Sequence, residues 1–113
     1  TGFDRGKDLS DFINSDKTVL LFGDDSAAPL LALMTGKQIA FDIVDTNEQV
    51  FTSGLVNIGS TLEKIKKENV LFIARSTQGI STLPEFRLFL NNDCQLLSQF
   101  HDKMEGDYLV YRC

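Results

Sequence analysis

The amino-acid sequence predicts a small layered α/β domain, in which a mostly parallel sheet is extended by a C-terminal antiparallel hairpin and has helices on its faces. Three observations indicate this fold. Short, unbroken apolar segments are typical of parallel strands that are covered on both faces. Segments with helix start and stop signals separate them. The C-terminal part instead contains two strand-like segments around a polar loop, which predicts a hairpin.

The sheet begins with one β-α-β unit. A short helix over residues 4–13 precedes it. Residues 18–22 form the first predicted strand, and the acidic turn Gly23-Asp-Asp-Ser26 follows. Ser26 is the predicted cap of the next helix, because a serine hydroxyl can accept a hydrogen bond from the first free N–H groups of a helix. Residues 38–44 form the second strand, so both strands end near carboxylates.

A polar, glycine-containing segment over residues 45–57 is predicted to be irregular, with Phe51 as a buried anchor. A helix over residues 60–68 follows, and Ser60 or Thr61 is its expected cap. The segment therefore links the second strand to a helix that packs on the sheet.

The third predicted strand covers residues 70–74. After it, Thr82-Leu-Pro-Glu85 matches a capping box and predicts the start of the last helix. Residues 95–100 and 107–112 then form the two strands of the hairpin.

The chain contains two cysteines, Cys94 and Cys113. If the hairpin turns near Lys103 and Met104, the two thiols lie opposite each other, within reach of a disulfide. Such a bridge would indicate an oxidising compartment. The alternative is a pair of reduced thiols, since a register slip of one residue would place them on opposite faces of the hairpin.

Composition limits the possible classes of protein. The chain has 113 residues, 42% of them hydrophobic, which is enough for one core and too few for two domains. We therefore expect residues 1–113 to form a single α/β domain. Because the first residue is Thr1 rather than methionine, we also expect that the domain was excised from a longer chain. A net charge of −5 argues against a nucleic-acid partner, which would need a clustered basic face.

The predicted carboxyl ends of the first two strands carry four carboxylates: Asp24, Asp25, Asp42 and Asp45. They predict one of two kinds of site. Carboxylate oxygens could bind a hard cation such as Mg²⁺. Alternatively, Asp42 or Asp45 could bind ribose hydroxyls while the turn at Gly23 faces a nucleotide or methyl donor.

A structural role is the competing interpretation of these acidic residues, since Asp24 or Asp25 can help Ser26 to cap a helix. The turn also has one glycine where the phosphate-binding fingerprint has three. Arg75, at the end of the third strand, is expected to pair with Asp24 or Asp45, or to help bind an anion. The candidate ligand-binding residues are therefore Asp24, Asp25, Ser26, Asp45, Asn47 and Arg75.

The pattern of the sequence does not assign a catalytic residue, a metal-binding set or a cofactor. His101 falls in the predicted hairpin loop, away from Ser26 and Ser53, and a Gly-x-Ser-x-Gly elbow is absent from the sequence. Two cysteines and one histidine also do not supply four zinc ligands at a recognised spacing.

Several features follow one another in a recognisable order along nearly the whole chain. They are an opening helix over residues 8–13 and the segments Phe22-Gly-Asp-Asp-Ser-Ala-Ala-Pro29, Leu33-Met-Thr-Gly-Lys-Gln38, Asp45-Thr-Asn47, Phe51-Thr-Ser-Gly54, Leu96-Leu-Ser-Gln-Phe100 and Gly106-Asp-Tyr-Leu-Val-Tyr111. In this order the chain resembles the soluble C-terminal domain of polytopic membrane glycosyltransferases of the GT-C class, which are similar to dolichyl-phosphate-mannose–protein mannosyltransferases.

The resemblance implies an extracytoplasmic module that follows membrane-spanning helices of the same polypeptide. Catalytic carboxylates of such enzymes lie in the membrane part, so the resemblance places none on this chain. It implies an accessory domain that covers the active site or contacts a glycan or protein acceptor. The alternative is a stand-alone Rossmann-like module that binds a nucleotide, a methyl donor or a metal at the acidic strand ends.

Overall fold

The fold is described by a computed structural model that covers residues 2–42, 46–102 and 106–113. Within these ranges the chain forms five α-helices and five strands. In chain order they are α1 (Gly2–Ser15), β1 (Leu20–Gly23), α2 (Ala27–Thr35), β2 (Gln38–Ile39), α3 (Glu48–Thr52), α4 (Ile58–Lys67), β3 (Val70–Arg75), α5 (Pro84–Asp93), β4 (Gln95–Asp102) and β5 (Gly106–Arg112).

The five strands form one sheet in the order β2-β1-β3-β5-β4. β1 pairs in parallel with both β2 and β3, whereas β5 pairs antiparallel with both β3 and β4. The predicted α/β class and the C-terminal hairpin are therefore confirmed. The sheet is mixed, however, and the prediction that it is mostly parallel is not confirmed, because the described strands form two parallel and two antiparallel pairs.

The second strand is shorter than the predicted strand over residues 38–44. It ends at Ile39, and a 3-10 turn over Ala40–Asp42 follows, in which Phe41 has a φ of 60°. This left-handed conformation is uncommon for a bulky residue, and it breaks the extended backbone that the apolar pattern predicts. Residues 43–45 lie outside the described part of the chain.

Helices cover both faces of the sheet and produce two apolar clusters. One cluster joins α1 and α2 to the strand residues Leu21, Leu71 and Ile73. The other joins α4 and α5 to Phe22 and Phe72 on the opposite face. Alternate side chains of β1 and β3 therefore pack into the clusters on opposite faces of the sheet, which explains the unbroken apolar character of these strands.

The predicted pairing of Cys94 and Cys113 is confirmed. Their Cα atoms are 4.3 Å apart and their sulfur atoms are at bonding distance. The register places Gln95 opposite Arg112, directly beside the bridge, and an irregularity between Leu96 and Ser98 shifts the pairing farther along the hairpin. The Cys113 N–H also donates to the Val70 carbonyl oxygen at 3.0 Å, so the bridge ties the end of the chain to β3.

Three further predictions about local structure were wrong. Asn57, rather than Ser60 or Thr61, caps α4, and its side chain accepts a hydrogen bond from the Ser60 N–H at 2.8 Å. Leu83 precedes α5 without a side-chain cap, while the Thr82 hydroxyl donates to the Gly79 carbonyl oxygen, so the capping box does not form. The segment over residues 45–57 contains α3, although Phe51 is buried there as predicted.

No helix in the described ranges is both long and apolar enough to cross a bilayer.

An ion pair joins the segment after α1 to the end of β5. Arg112 donates to an Asp16 carboxylate oxygen at 2.6 Å, and the Thr18 N–H donates to the other oxygen at 2.8 Å. Burial raises the pKa of Asp16, but the hydrogen bonds from Thr18 and the charge of Arg112 outweigh burial, so the net pKa is lowered. The charged form of Asp16 is thus favoured in the folded protein.

Because the folded pKa of Asp16 is lowered, its stabilising contribution is present above the unfolded pKa of about 4 and is lost as pH falls through the folded pKa. We expect Asp16→Asn to reduce stability at pH 7 and to flatten the loss of stability below pH 4. Urea unfolding across pH 2–7 measures both effects. Asp11→Asn, at an exposed site on α1, is the control. An unchanged acid limb in Asp16→Asn would contradict the prediction.

Candidate functional site

An open polar cleft of about 450 Å³ lies where β1 and β3 end. The chain leaves β1 toward β2 on one side and later returns to β3 on the other side of β1. Such a reversal of strand order is a topological switch point, where α/β sheets commonly bind ligands beyond the carboxyl ends of their strands. The charged residues that line the cleft are Asp24, Asp25, Glu48 and Arg75.

The close approach of β1 to β3 fixes the position of Asp24. Gly23 ends β1 with a φ of 136°, and the Asp24 N–H donates to the Ile73 carbonyl oxygen at 2.8 Å. The Thr46 hydroxyl donates to the Gly23 carbonyl oxygen. Asp24 is consequently held beside β3, directly after the end of β1 and just before α2 begins.

Asp24, rather than Ser26, caps α2 through its side chain. Its Oδ2 accepts hydrogen bonds from the Ser26 N–H at 3.1 Å and from the Ala27 N–H at 3.0 Å. The Ser26 side chain makes no capping bond, so this part of the sequence-based prediction was wrong. A carboxylate at this position also interacts favourably with the positive end of the helix dipole.

Arg75 is the second charged group at the centre of the site. Its Nε lies 3.1 Å from Asp24 Oδ1, and the Asp24 side chain is only 2% exposed. Its Nη1 donates to Gln78 Oε1 at 2.8 Å and its Nη2 donates to the Ser26 hydroxyl. The guanidinium also lies over the Tyr108 ring, 5.7 Å from the centroid. Arg75 thus pairs with Asp24, one of its two expected partners.

The remaining sequence-predicted residues are only partly brought together. Asp25 is exposed and lines the cleft. Asn47 also lines it, and its Oδ1 caps α3 by accepting a hydrogen bond from the Gln49 N–H at 2.9 Å. Ser26 contacts Arg75 beside the cleft. Asp45 and the side chain of Asp42 lie outside the described part of the protein.

Sequence reasoning did not identify several polar residues of the cleft. Gln49 comes from α3, and Thr77, Gln78 and Gly79 follow β3. Gly79 has a φ of 78°, and a Cβ atom there would lie 3.0 Å from Asp24 Oδ1. The available signal was the position of residues 76–79 directly after a strand that was predicted to end beside Asp24.

Asp24 has little remaining capacity to bind a metal or act as a base. Its Oδ2 already accepts two hydrogen bonds, and its Oδ1 already forms an ion pair with Arg75. Within the described ranges, histidine, cysteine and acidic side chains do not form a group of three that could hold a metal ion. The observed contacts of Asp24 therefore match the structural interpretation of the acidic turn.

Replacing Arg75 tests the importance of this ion pair. We expect Arg75→Met to lower the free energy of unfolding by ~2 kcal/mol, because it leaves the buried Asp24 carboxylate without its charged partner while retaining the apolar stem. This value lies below that for fully buried pairs because the Arg75 side chain is 14% exposed. Urea unfolding measures the loss. Arg87→Met, at an exposed arginine on α5, is the control; an equal loss in both variants would contradict the prediction.

His101 lies on the hairpin. Its Nδ1 is 2.5 Å from Asp107 Oδ1, and the Gln99 side chain donates to the other oxygen of Asp107. The hydrogen bond with His101, followed by that from Gln99, lowers the pKa of Asp107. These residues are not among those that line the cleft.

Comparisons of the chain with protein-family models, with curated proteins and with solved structures return no match. Function is therefore inferred from the cleft and its surroundings.

Proposed function

We propose that this chain is a non-catalytic accessory domain of a membrane-bound glycosyltransferase that uses a lipid-linked sugar donor. In this proposal the cleft contacts the acceptor, and the domain lies on the extracytoplasmic side of the membrane beside the membrane-embedded part of the same polypeptide. The observation that carries the proposal is the contrast between Asp24, whose oxygens are engaged in structural contacts, and the open polar cleft around it. This arrangement favours binding over bond-making chemistry.

Two further observations support an accessory domain. The Cys94–Cys113 bridge is suited to an oxidising, extracytoplasmic location. In addition, Leu30, Leu33 and Met34 are exposed at helical spacing on α2. Exposed apolar surfaces of this kind often contact another protein segment, which agrees with packing against the rest of a larger polypeptide.

A stand-alone Rossmann-like module remains the second candidate, because the cleft lies at the switch point where such folds bind nucleotides. It would bind a nucleotide, a methyl donor or a metal. Such a ligand would raise the stability of the isolated domain in proportion to the logarithm of its concentration above Kd.

The coding region upstream of Thr1 provides the first test. The accessory-domain proposal expects several apolar spans of about 20 residues there. A start codon close to Thr1, with no such spans in the same polypeptide, would contradict it.

The second test uses the full-length polypeptide in detergent or vesicles, with transfer to the acceptor as the assay. We expect Gln49→Ala to raise the KM for the acceptor with little change in kcat, since a cleft that only binds contributes to the ground state and transition state alike. Gln38→Ala, at an exposed position on β2, is the matched control. An unchanged KM in Gln49→Ala would count against acceptor binding at the cleft.

A further inference from the structure

We infer that the cleft recognises an uncharged, hydroxyl-rich part of its ligand, as in a neutral saccharide, and rejects phosphate groups. This inference rests on the proposed function, in which the cleft contacts the acceptor. It further specifies the chemical class that the cleft accepts and a class that it excludes.

The exclusion of phosphate follows from the contacts of Asp24. In α/β folds, a phosphate at the switch point binds the free N–H groups at the start of a helix. Here the Asp24 carboxylate accepts from the Ser26 and Ala27 N–H groups. Its other oxygen, Oδ1, forms an ion pair with Arg75, whose Nε lies 3.1 Å away. An internal anion thus occupies the donors that a bound phosphate would need.

The charges around the cleft strengthen this exclusion. Asp25 and Glu48 are exposed and line the same cleft, whereas Arg75 is the one cationic side chain among its described lining residues and is already paired with Asp24. A phosphorylated ligand would therefore meet uncompensated negative charge at the rim of the cleft. Like charges at short range disfavour such a complex.

The other groups that line the cleft are suited to hydroxyls. Gln49, Gln78 and Thr77 supply amide and hydroxyl groups on exposed side chains. Gln78 Oε1 accepts a hydrogen bond from Arg75, which defines the orientation of its amide. A ligand hydroxyl can both donate and accept, so it can pair with amides, hydroxyls and the carboxylates of Asp25 and Glu48. A neutral polyhydroxyl ligand can therefore form hydrogen bonds both with the amide and hydroxyl side chains and with the carboxylates of the cleft.

Phosphate itself provides the first test. We expect inorganic phosphate, compared with chloride at equal ionic strength, to raise the Tm of Asp24→Ala by more than that of the wild type, and increasingly with concentration. Truncation of Asp24 removes the acceptor of two N–H groups and the carboxylate beside Arg75 Nε, so an anion could bind in its place. Asp25→Ala removes the same charge from the same turn and is the control for both charge and the general stabilising effect of phosphate. Equal shifts in all three proteins would overturn the role of Asp24 in excluding phosphate.

A ligand comparison provides a second test that does not depend on the folding of Asp24→Ala. Backbone NMR of the wild-type chain is recorded with a methyl hexopyranoside and with the corresponding hexose 6-phosphate. We expect the neutral sugar to shift resonances of Gln49 and of residues 77–79, and the phosphate to bind at least tenfold more weakly. Gln49→Ala should weaken the binding of the neutral sugar, whereas Gln38→Ala should leave it unchanged. Equal or tighter binding of the phosphate would overturn the inference.

The two proposals fail in distinguishable ways. If neither sugar binds but Gln49→Ala still raises the acceptor KM of the full-length polypeptide, the inferred ligand class is wrong while acceptor binding stands. If Gln49→Ala changes neither the KM nor sugar binding, the proposed function of the cleft is wrong as well.

Discussion

Replacing Gly23 with alanine is expected to destabilise the domain by at least ~3 kcal/mol. A Cβ atom at this position would lie 1.9 Å from the Ile73 carbonyl oxygen and 2.8 Å from the Ile73 nitrogen and carbonyl carbon. These atoms belong to β3, so relief of the clash would require β1 and β3 to separate. The φ of 136° at Gly23 adds backbone strain for any residue with a side chain.

Urea unfolding followed by circular dichroism measures this loss. Gly36→Ala is the matched control, because Gly36 has a φ of 73° but no atom within 4 Å of the added Cβ. It should cost ~1 kcal/mol, from the left-handed conformation alone. The difference between the two variants isolates the contact with β3, and equal losses would show that this contact is unimportant. Because Gly23 also positions Asp24, any folded Gly23→Ala protein should have a rearranged cleft.

The fold class was predictable because the layers impose simple patterns on the sequence. β3 is apolar at consecutive positions since Leu71 and Ile73 pack on one face and Phe72 packs on the other. The disulfide was also accessible to sequence reasoning, because a hairpin with a central polar loop places Cys94 opposite Cys113. The first prediction rests on local periodicity and the second on the register of a short hairpin, and both are set by residues that are close in sequence.

Other features depend on contacts that local patterns do not encode. The apolar pattern continues beyond Ile39, yet the positive φ of Phe41 ends the extended backbone. Asp24, Asp25 and Ser26 are all acceptable caps by residue type. The close pairing of Gly23 with β3 determines that Asp24 provides the capping side chain. Gln78 could not be identified as a cleft residue without knowing where the segment after β3 returns.

Removal of the disulfide is the second prediction with a large expected effect. The double variant Cys94→Ser/Cys113→Ser should lose ~3 kcal/mol of unfolding free energy, because the bridge closes a loop with a sequence separation of 19 in the unfolded chain. Both cysteines also pack against the apolar cluster that contains α4 and α5. Burying serine hydroxyls in their place adds a small desolvation cost.

Chemical denaturation with and without a phosphine reductant separates these contributions. Reductant should destabilise the wild type but leave the stability of the double variant unchanged. The remaining difference in stability between the reduced wild type and the variant then measures the cost of replacing the buried thiols with hydroxyls. A wild type insensitive to reductant at its unfolding midpoint would contradict the entropic contribution. Because the bridge lies at the opposite end of β3 from Arg75, a folded double variant should keep its cleft. Its affinity for the methyl hexopyranoside should therefore match that of the wild type even though its stability falls.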